Sequence, residues 1–469
     1  MILISAIVMR EVLVPVVTSE IFRAYDIRGI IDENLTPNVA YTIGLALGTR
    51  AHAQQIENFI VARDGRLSSP ALSEALIKGL TKSGMHVIDI GAVPSGVLYF
   101  ACYYLNIGAG VMVTGSHNPK NYNGFKILFD FMALSEQTLQ QIYHIAKTQQ
   151  FHFGEGQAIS QNVTNAYIDT IVQRVKPKHP LKIVIDCGNG IAGDIAPILY
   201  KKLGCDVTSL YCEVDGNFPN HHPNPSAIEN LQDLIKTVQQ EKADLGLAFD
   251  GDGDRLGVVT AQGEVIWPDR QMILFSEDVL TRHPGAKILF DVKCTRHLTQ
   301  AITNAGGDPH MVRTGHSFIK AALKNTGAIL AGEMSGHIFF KEDWYGFDDG
   351  LYCGARMIEL LSRQASLTQV WQSLPNSLNT PEINIPIADG EKFIFMEKLL
   401  KTANFPGAKI ITIDGLRVEF PDSWAIVRAS NTTPCLVVRF EAENIASLQH
   451  IQHLVHRALL QVKPDLQIT

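Results

Sequence analysis

Three aspartates alternate with two glycines in the stretch AFDGDGDRLG. The glycines leave the backbone free to curl, so the carboxylates of Asp250, Asp252 and Asp254 are expected to converge on one hard cation. Without a cation, three clustered anions would repel one another strongly. Arg255 follows directly. Because Mg²⁺ favours a few carboxylates plus phosphate oxygens, and arginine offers a planar fork, the loop predicts a metal site that also takes phosphate.

Two other interpretations of this loop fit its sequence less well. An EF-hand needs glycine at its sixth position and glutamate at its twelfth, where the chain has Arg255 and Ala261. A solvated acidic turn is the remaining alternative. Such turns rarely follow a continuous apolar run like the one that ends at Asp250.

A second loop, in VMVTGSHNPKNYNGFKI, places Ser116 beside His117 after an apolar run. A hydrolase nucleophile needs the pattern G-x-S-x-G, but Thr114 and Asn118 occupy the glycine positions and no matched acid and base partners are evident. If this loop shares a cleft with the aspartates, its hydroxyl faces a metal, which suits phosphoryl transfer. We therefore expect Ser116 to carry a phosphate, whereas His117 fits either a local hydrogen bond or a structural role.

Two more polar loops follow apolar runs. In GEMSGH, Glu333, Ser335 and His337 alternate, and on an extended segment all three would project from one face toward the hydroxyls of a sugar. In RASNTTP, a guanidinium, hydroxyls and backbone amides lie together between two apolar strands, as a phosphate-gripping loop requires. Each has a simpler alternative: a polar strand end for the first and a hydroxyl-rich turn for the second.

Apolar runs that alternate with helical patterns must position these loops. Buried strands are predicted at 60–64, 110–114, 182–186, 206–211, 245–250, 287–291 and 328–332, and covering helices at 227–242 and 272–282. This is an α/β pattern. Because ligands meet parallel sheets at the carboxyl ends of strands, three of the loops could face one cleft. The last segment, SWAIVRASNTTPCLVVRFEA, is strand, loop, strand, as in a small antiparallel α+β domain.

Length and charge limit the class of protein. With 469 residues, 46% apolar and 19% charged, the chain is too long for one core and predicts about three or four domains. We place boundaries near 160, 265 and 375, where Gly, Pro and polar residues gather. The formal net charge of -7 provides no global attraction to nucleic acid or anionic membranes, so an anionic ligand requires a locally basic pocket.

The cysteines and the first residues bear on the compartment. The seven cysteines are scattered and form no C-x-x-C pair, which argues against a disulfide framework or a zinc knuckle and favours a reducing cytosol. The apolar residues 1–8 lack a leading basic region and are shorter than the about 20 residues that span a membrane. We interpret them as an extended terminus, with Met9 as an alternative start.

One pattern favours a different class of enzyme. KIVIDCGNGIAGDIAP contains Gly188, Gly190 and Gly193 after a strand-like run, and Glu213 follows about 20 residues later, which is the outline of a dinucleotide site. Asp186, however, ends the strand where its carboxylate would lie close to a pyrophosphate, and no other segment indicates nicotinamide chemistry. The glycines are therefore interpreted as a tight turn that packs a helix on a strand.

Five stretches together, FRAYDIRG, TGSHNP, DGDGDR, GEMSGH and RASNTTP, resemble the α-D-phosphohexomutase superfamily, and most closely its bacterial phosphomannomutase/phosphoglucomutase group. The resemblance runs from about residue 21 to near the C-terminus, and none of the five motifs departs from the family pattern. It implies four domains around a central cleft: three related α/β units with mixed sheets and a C-terminal α+β domain. The expected domains are 1–160, 161–265, 266–375 and 376–469, which carry the serine, metal, sugar and phosphate loops in turn.

The resemblance also implies roles for individual residues. Ser116 would be a phosphoserine that binds one Mg²⁺ per subunit together with Asp250, Asp252 and Asp254. Glu333 and Ser335 would contact sugar hydroxyls, and the non-transferring phosphate would be held by Arg428, Ser430, Asn431, Thr432 and Thr433. Further cleft positions match Tyr25, Arg28, Lys126, Arg255, Lys293, His316 and His337. Among these, Arg28, Lys126 and His337 are the candidates for acid/base or charge-stabilising work.

The implied activity is that of a phosphohexomutase. It would interconvert the 6-phosphates and 1-phosphates of mannose and of glucose through a hexose 1,6-bisphosphate, which also serves as activator. The alternatives are a phosphoglucosamine mutase and a non-catalytic sugar-phosphate-binding protein, which would keep the phosphate loop but need no donor serine. GEMSGH resembles the mannose/glucose group more than the glucosamine mutases. We expect a cytoplasmic monomer that acts on hexose phosphates and has no nucleic-acid or membrane partner.

Overall fold

The structure is a computed structural model that describes residues 17–431 and 433–468. The interpretation of residues 1–8, the alternative start at Met9 and the role expected for Thr432 concern residues outside that part of the chain. In the described part, the strands form four sheets that follow one another in chain order. No helix there is both long and apolar enough to cross a membrane.

The first sheet has both parallel and antiparallel strands. Its strands are β1 (Ile27–Ile30), β2 (Asn58–Arg63), β3 (His86–Ala92), β4 (Gly110–Val113), β5 (Tyr122–Phe129), β6 (Met132–Ala133) and β7 (Ala158–Ser160), and its helices are α1 (Pro37–His52), α2 (Ser69–Lys82), α3 (Ser95–Tyr104) and α4 (Glu136–Thr148). The order is β1-β5-β4-β2-β3-β7, with β6 beside β5. Strands β2, β3, β4 and β7 are parallel, and β5 is antiparallel to β1 and β4.

The second and third sheets repeat this mixture of directions. The second unit contains α5 (Thr164–Arg174), β8 (Lys182–Asp186), α6 (Ala196–Lys202), β9 (Asp206–Leu210), α7 (Gln232–Glu241), β10 (Leu245–Phe249), β11 (Leu256–Thr260) and β12 (Val265–Ile266). The third contains α8 (Pro268–Arg282), β13 (Lys287–Asp291), α9 (Arg296–Asn304), β14 (Asp308–Val312), α10 (His316–Thr326), β15 (Leu330–Gly332), β16 (Ile338–Phe340), α11 (Gly350–Leu361) and α12 (Leu367–Ser373). The sheet orders are β12-β11-β10-β8-β9 and β14-β13-β15-β16.

The three α/β units place their functional loops at equivalent positions. In each unit a strand with a parallel neighbour turns back into an antiparallel strand: β4 into β5, β10 into β11, and β15 into β16. These three connections contain Ser116 (the serine loop), Asp250, Asp252 and Asp254 (the aspartate loop, which is the expected metal loop), and residues 333–337 (the sugar loop). The fold class expected from the sequence, three related α/β units with mixed sheets, is confirmed.

The prediction of a buried strand at 206–211 is wrong in one respect. The strand β9 exists, but its residues are half-buried or exposed. It lies at the edge of the second sheet, with β8 as its neighbour in the sheet, and an edge strand has one side open to water.

The fourth sheet is antiparallel. It contains β17 (Leu378–Asn379), β18 (Ile383–Pro386), β19 (Lys409–Ile411), β20 (Leu416–Glu419), β21 (Ser423–Ala429) and β22 (Cys435–Ala442), with helices α13 (Asp389–Thr402) and α14 (Ile445–Val462). Every pairing in it is antiparallel. The expected C-terminal α+β domain is thus confirmed, whereas the residue boundaries near 160, 265 and 375 stay a prediction.

The C-terminal domain contacts the third unit through arginines stacked on a buried tryptophan. Trp424 is fully buried, and the guanidinium carbons of Arg417 and Arg439 lie 3.8 and 5.5 Å from its ring centre. Arg417 Nη1 donates to the carbonyl oxygens of Val292 at 2.6 Å and Cys294 at 2.8 Å. This stacked-arginine interface therefore combines a small apolar contact with directional hydrogen bonds.

Asp349 lies where the three α/β units meet. Its buried side chain caps α11 by accepting from the Tyr352 amide at 3.1 Å, and the Tyr167 phenol donates to its two oxygens at 2.8 and 2.9 Å. A Cβ on Gly96 of α3 would lie 2.6 Å from its carboxyl carbon. Burial raises the pKa of Asp349 to about 7.

Replacing Asp349 with asparagine is expected to change how stability depends on pH. The folded protein holds the Asp349 proton more tightly than an ordinary aspartate with a pKa of 3.8. This stabilisation is therefore complete below about pH 4 and is lost as the pH rises through about 7. Relative to the neutral Asp349→Asn variant, the wild type should lose about 3 kcal/mol between about pH 5 and 8.

Melting temperatures across that pH range test this expectation. The wild type should fall behind the Asp349→Asn variant as the pH rises. A control variant, Asp206→Asn, removes an exposed carboxylate at the start of β9 and should follow the wild type. Parallel melting curves for the wild type and Asp349→Asn would contradict the raised pKa.

Candidate active site

Ser116 lies in the β4–β5 loop with a left-handed backbone, at a φ of 47°, and is buried. Thr114 Oγ1 accepts from the Ser116 amide at 2.8 Å. Asp64, directly after β2, accepts from Thr114 Oγ1 at 2.7 Å and from the Gly115 amide at 3.2 Å. Since a residue with a side chain rarely adopts this conformation, the surrounding hydrogen bonds must hold it there.

Arg66 binds the same loop through its backbone. Its Nη2 donates to the carbonyl oxygens of Ser116 at 2.7 Å and Asn118 at 2.6 Å. Its Nη1 donates to those of Pro119 at 2.7 Å and Tyr122 at 3.0 Å. One buried guanidinium therefore donates to four carbonyl groups of one loop, and it fixes the loop that presents Ser116.

Replacing Arg66 with methionine is expected to loosen this loop. Loss of the buried donors should lower the free energy of unfolding by about 3–5 kcal/mol and lower kcat/KM by about 100-fold, because Ser116 would be misplaced. Arg66→Lys keeps a positive charge and three donors, so its stability and its kcat/KM should lie between those of the wild type and those of Arg66→Met. Chemical denaturation and steady-state kinetics measure both effects.

The control is the same substitution at an arginine that does not contact the serine loop. Arg50 on α1 donates to Gln141 at an exposed position, so Arg50→Met should leave both quantities near wild type. Full activity in a folded Arg66→Met protein would show that the loop keeps its shape without the guanidinium.

The three aspartates of the β10–β11 loop are fully buried, and one oxygen from each lies within 4.8 Å of the others. Asp250 Oδ1 accepts from the amides of Asp254 at 3.1 Å and Arg255 at 3.2 Å, which curls the loop. Among the described residues, Asp252 Oδ1 and Asp254 Oδ1 have no hydrogen-bond partner. Buried carboxylate oxygens without partners fit a hard divalent cation, so these residues are suited to hold a metal ion.

Lys126, from β5, lies between two of these aspartates. Its Nζ donates to Asp252 at 2.6 Å and also to Asp254. Burial would raise the pKa of Asp252, but Lys126 holds it below its usual range. Burial raises the pKa of Asp250 well above its usual range, and repulsion from Asp254 and Asp252 adds to this. The cluster is therefore short of positive charge, which a cation would supply.

The serine and aspartate loops meet at a direct contact. Ser116 Oγ donates to Asp250 Oδ2 at 3.0 Å and lies 3.2 Å from His117 Nδ1. Burial lowers the pKa of His117 well below its usual range, and the charge of Arg255 lowers it further. His117 is thus neutral near pH 7 and makes the local contact that its sequence position allowed.

The expectation of an extended segment at GEMSGH is wrong. Residues 333–337 form a tight turn, in which the Gly336 amide donates to the Glu333 carbonyl at 3.1 Å and the Glu333 amide to the His337 carbonyl at 2.9 Å. Gly336 has a φ of 101°, a conformation that favours glycine and lets the chain reverse. Glu333 and His337 are buried and Ser335 is half-buried, but the alternation that a strand would impose does not apply.

His337 connects the sugar loop with the aspartate loop. Arg255 Nε donates to His337 Nε2 at 3.0 Å, and because arginine has no acceptor, the ring proton of a neutral His337 lies on Nδ1. That Nδ1 lies 2.9 Å from Asp348 and 3.4 Å from Asp254. Asp348 is buried and paired with Lys320 at 2.7 Å. No motif in the sequence pointed to Asp348.

The β21–β22 loop borders the sugar loop. Asn431 donates to the Thr314 carbonyl at 3.3 Å, and the next amide, that of Gly315, donates to Glu333. Among the described residues, the buried Nη2 of Arg428 has no hydrogen-bond partner. A buried guanidinium nitrogen without a partner suits a bound anion.

Asp414 and two hydroxyls order this loop. Arg428 Nε donates to Asp414 at 3.0 Å, which fixes the orientation of the guanidinium. The hydroxyls of Ser430 and Thr433 lie 2.7 Å apart, and the Thr433 amide donates to Ser430 Oγ at 3.1 Å. Ser430 is buried and Thr433 is exposed.

Tyr25 and Arg28 bring the first unit to the same place. Arg28 Nε donates to Asp26 at 2.8 Å. Burial raises the pKa of Tyr25 to about 12, with Asp26 and Glu333 raising it further and Arg28 and Arg428 opposing them. Charged side chains from the first and third units and from the C-terminal domain thus act on one phenol, which indicates that they border a single cleft.

His316 and Lys293 line the third unit's side. The His316 ring lies 4.8 Å from the Tyr25 ring, edge to face, and within the described chain both its nitrogens are buried without hydrogen-bond partners. Burial lowers the pKa of His316 well below its usual range. Lys293 Nζ pairs with Glu382 at 2.5 Å and lies 3.9 Å from Asp291.

The segment NHHPNPS supplies contacts that the sequence motifs did not predict. His222 Nε2 lies 2.5 Å from the carbonyl oxygen of His117, and Ser226 Oγ donates to the carbonyl oxygen of Ser335 at 3.2 Å. This segment therefore bridges the serine and sugar loops. Two adjacent histidines, His221 and His222, between prolines were the available signal.

Four family models match the chain in succession. They are Phosphoglucomutase/phosphomannomutase, alpha/beta/alpha domain I at residues 19–153, domain II at 165–263, domain III at 267–378, and the C-terminal domain at 382–458. The matched segments together account for most of the chain.

Individual proteins match over nearly the whole length. The phosphomannomutase/phosphoglucomutase of Pseudomonas syringae pv. tomato is 53% identical over 455 residues, which are 97% of this chain and 98% of that relative. The phosphoglucomutase of Neisseria gonorrhoeae is 51% identical over 454 residues, 96% of this chain and 98% of that relative. The crystal structure of a phosphoglucomutase/phosphomannomutase family protein from Burkholderia thailandensis matches with a TM-score of 0.92 at 48% identity, covering 96% of this chain and 99% of that one.

Proposed function

The chain belongs to the phosphoglucomutase/phosphomannomutase family, and from that membership we propose that it interconverts the 6-phosphates and 1-phosphates of both mannose and glucose. It is a mutase, an intramolecular phosphotransferase. The relative from Pseudomonas syringae is named for both activities. The observation that carries the chemistry is the Ser116 hydroxyl, 3.0 Å from Asp250 in a buried acidic cluster.

Ser116 is the proposed phosphate carrier. In the first half of the reaction, the bond from phosphorus to Ser116 Oγ breaks and a bond to a substrate hydroxyl oxygen forms, which yields a hexose 1,6-bisphosphate. The hydroxyl proton passes to a base, and Arg28, Lys126 and His337 are the candidates for this acid/base step or for stabilising the charge of the transferring group. In the second half, the other phosphate returns to Ser116 Oγ and a proton returns to the sugar oxygen. Added bisphosphate activates because it phosphorylates any empty serine.

The acidic cluster is the proposed Mg²⁺ site. Asp250, Asp252 and Asp254 would hold one ion together with a phosphate oxygen on Ser116. Asp252 Oδ1 and Asp254 Oδ1, which are buried and have no hydrogen-bond partner within the described part of the chain, support this assignment. When bound, the ion supplies positive charge that offsets the negative charge of the transferring group. Lys126 lies within reach of the same phosphoryl group because it contacts both aspartates.

The sugar and its second phosphate are assigned to the other loops. Glu333 and Ser335 would bind sugar hydroxyls. The remaining proposed substrate contacts are Tyr25, Arg255, Lys293, His316, Arg428, Ser430, Asn431, Thr432 and Thr433. The phosphate loop must accept the 1-phosphate in one half reaction and the 6-phosphate in the other. Arg428 Nη2, which has no hydrogen-bond partner among residues 17–431 and 433–468, suits either end.

Replacing Arg428 with lysine is expected to weaken the grip on the non-transferring phosphate. Lysine lacks the fork that binds two phosphate oxygens, so kcat/KM should fall about 30–100-fold, with most of the loss in KM. Steady-state kinetics with glucose 1-phosphate measure this effect. A control, Arg363→Lys, changes an arginine that pairs with Asp278 away from the loops. Unchanged kinetics in Arg428→Lys would rule out the clamp.

Phosphorus NMR tests the proposed function directly. With Mg²⁺ and a catalytic amount of glucose 1,6-bisphosphate, the protein should convert both mannose 6-phosphate and glucose 6-phosphate to the 1-phosphates. Faster turnover of glucosamine 6-phosphate than of either would favour a phosphoglucosamine mutase. Binding of hexose phosphates without turnover, with Ser116 unphosphorylated, would favour a sugar-phosphate-binding protein.

We further propose that the protein is a cytoplasmic monomer. All seven cysteines are free thiols, which supports a reducing compartment. The contacts between the serine, aspartate, sugar and phosphate loops arise within one chain, so the proposed site is complete without a partner. Light scattering coupled to gel filtration tests the oligomeric state.

A further inference from the structure

Two cysteines lie side by side at the carboxyl ends of neighbouring strands. Cys187 follows β8 and Cys212 follows β9, and their sulfur atoms are 3.5 Å apart although 25 positions separate them in the chain. The Cys187 amide donates to the Leu210 carbonyl at 3.2 Å, which continues the pairing of the two strands. A disulfide has a sulfur separation of about 2.0 Å, so a shift of about 1.5 Å would join these two.

The two thiols are chemically unequal. Cys187 is buried and Cys212 is half-buried, so an oxidant from solution reaches Cys212 first. The two sulfurs share a hydrogen bond that lowers the pKa of Cys212, and Lys201 contributes in the same direction. The same hydrogen bond and burial raise the pKa of Cys187. Cys212 therefore suits the attacking thiolate and Cys187 the thiol that resolves it.

The turn after Cys187 packs against the loops of the candidate active site. The Ile191 amide donates to the Gly251 carbonyl at 3.2 Å. A Cβ on Gly190 would lie 3.0 Å from that carbonyl oxygen, and a Cβ on Gly251 would lie 2.4 Å from the carbonyl oxygen of Ser116. These three backbones approach one another closely, so we expect a movement at Cys187 to displace the aspartate and serine loops.

The backbone at Cys212 is also closely packed, against the segment that follows Cys187. A Cβ on Gly193 would lie 2.0 Å from the carbonyl oxygen of Cys212. Because these backbones are in close contact on both sides of the pair, we expect closing the gap between the sulfurs to displace the turn at 187–190. That turn contains two residues with positive φ, Gly188 at 50° and Asn189 at 59°.

We propose that Cys187 and Cys212 form a reversible disulfide when the protein meets a peroxide, and that this bond slows the mutase reaction by displacing the aspartate and serine loops. The second clause rests on the proposed function. The Cys212 thiolate attacks a peroxide oxygen, which breaks the O–O bond and gives a sulfenic acid and hydroxide. The Cys187 thiol then attacks the Cys212 sulfur, the S–S bond forms, and water leaves. Two thiols lose two electrons and hydrogen peroxide is reduced to two waters.

Hydrogen peroxide treatment of the full-length, Mg²⁺-loaded protein tests the proposal. Intact mass should fall by about 2 Da, and a non-reducing digest should yield a peptide pair joined at Cys187 and Cys212. The mutase kcat/KM should fall between about threefold and 100-fold and recover with dithiothreitol. In Cys212→Ser neither the cross-link nor the recoverable loss should occur. Cys212→Ala provides a second variant, and far-UV circular dichroism confirms folding.

Cys205→Ala is the matched control, since Cys205 is buried in the same unit. It should retain both the cross-link and the loss of rate. The proposal is overturned if Cys212 stops at a sulfenic or sulfinic acid, if both thiols stay reduced, or if the cross-link forms with no change in rate. A fully reduced protein that converts neither hexose phosphate would instead contradict the proposed function, while the mass measurement still reports the disulfide.

Discussion

The Ser116→Ala variant is expected to lose mutase turnover by about 10³-fold or more, because no other group would carry the phosphate between the two half reactions. The same variant should lack the added mass of about 80 Da that one phosphate contributes. The structure supports this size of effect. Ser116 Oγ contacts Asp250, and four backbone contacts from Arg66 hold the loop. Intact-mass spectrometry and a coupled assay measure both quantities.

Ser160→Ala is a suitable control for this experiment. Ser160 ends β7 at an exposed position on the edge strand of the first sheet, so its replacement should keep both the phosphate and the rate. If the Ser116→Ala protein is active without covalent phosphate, Ser116 is not the phosphate donor. A phosphate retained on the alanine variant would place the modification on another residue.

Removal of divalent metal should have the second largest effect. Chelation is expected to lower kcat by about 10²–10³-fold, and Mg²⁺ should restore it, because in the proposed site three buried carboxylates, two of them paired with Lys126, would face the transferring phosphate. Asp252→Asn should reduce both the rate and the affinity for Mg²⁺. Asp252 Oδ1 has no hydrogen-bond partner among the residues that the structure describes, and it is the oxygen that the ion would bind.

Isothermal titration of the chelated protein with Mg²⁺ separates binding from catalysis. The control Asp169→Asn removes a carboxylate that pairs with Lys202 at the surface and should bind Mg²⁺ as the wild type does. Equal rates with and without chelator would contradict a metal role, and undiminished binding by Asp252→Asn would move the site elsewhere.

The strands of this fold were largely predictable from the sequence, and their environment less so. Continuous apolar runs at 182–186 and 287–291 coincide with β8 and β13, because strands covered on both faces must be apolar throughout. β9 shows the limit. Its run identified a strand but not its place at the sheet edge, since the pattern of one segment carries no information about its neighbours.

The residues of the candidate site likewise include some that the sequence could predict and some that it could not. Residues within one motif, such as the three aspartates, could be found because each motif is contiguous. Arg66, Asp348 and His222 could not, because their contacts join segments that are far apart in sequence. The turn at 333–337 was missed for a local reason. Gly336 adopts a positive φ, which a period of two in polar residues does not reveal.

The stacked-arginine interface between the C-terminal domain and the third unit has a consequence for solubility. Its hydrogen-bonding groups are guanidinium nitrogens, carbonyl oxygens and the Asp269 carboxylate, which water can solvate once the surfaces part. Its apolar part is the small cluster around Trp424. If the C-terminal domain and the third unit separated for product release, they would expose little apolar surface. Such a chain could open and reclose many times without self-association, even at the high concentrations found in cells.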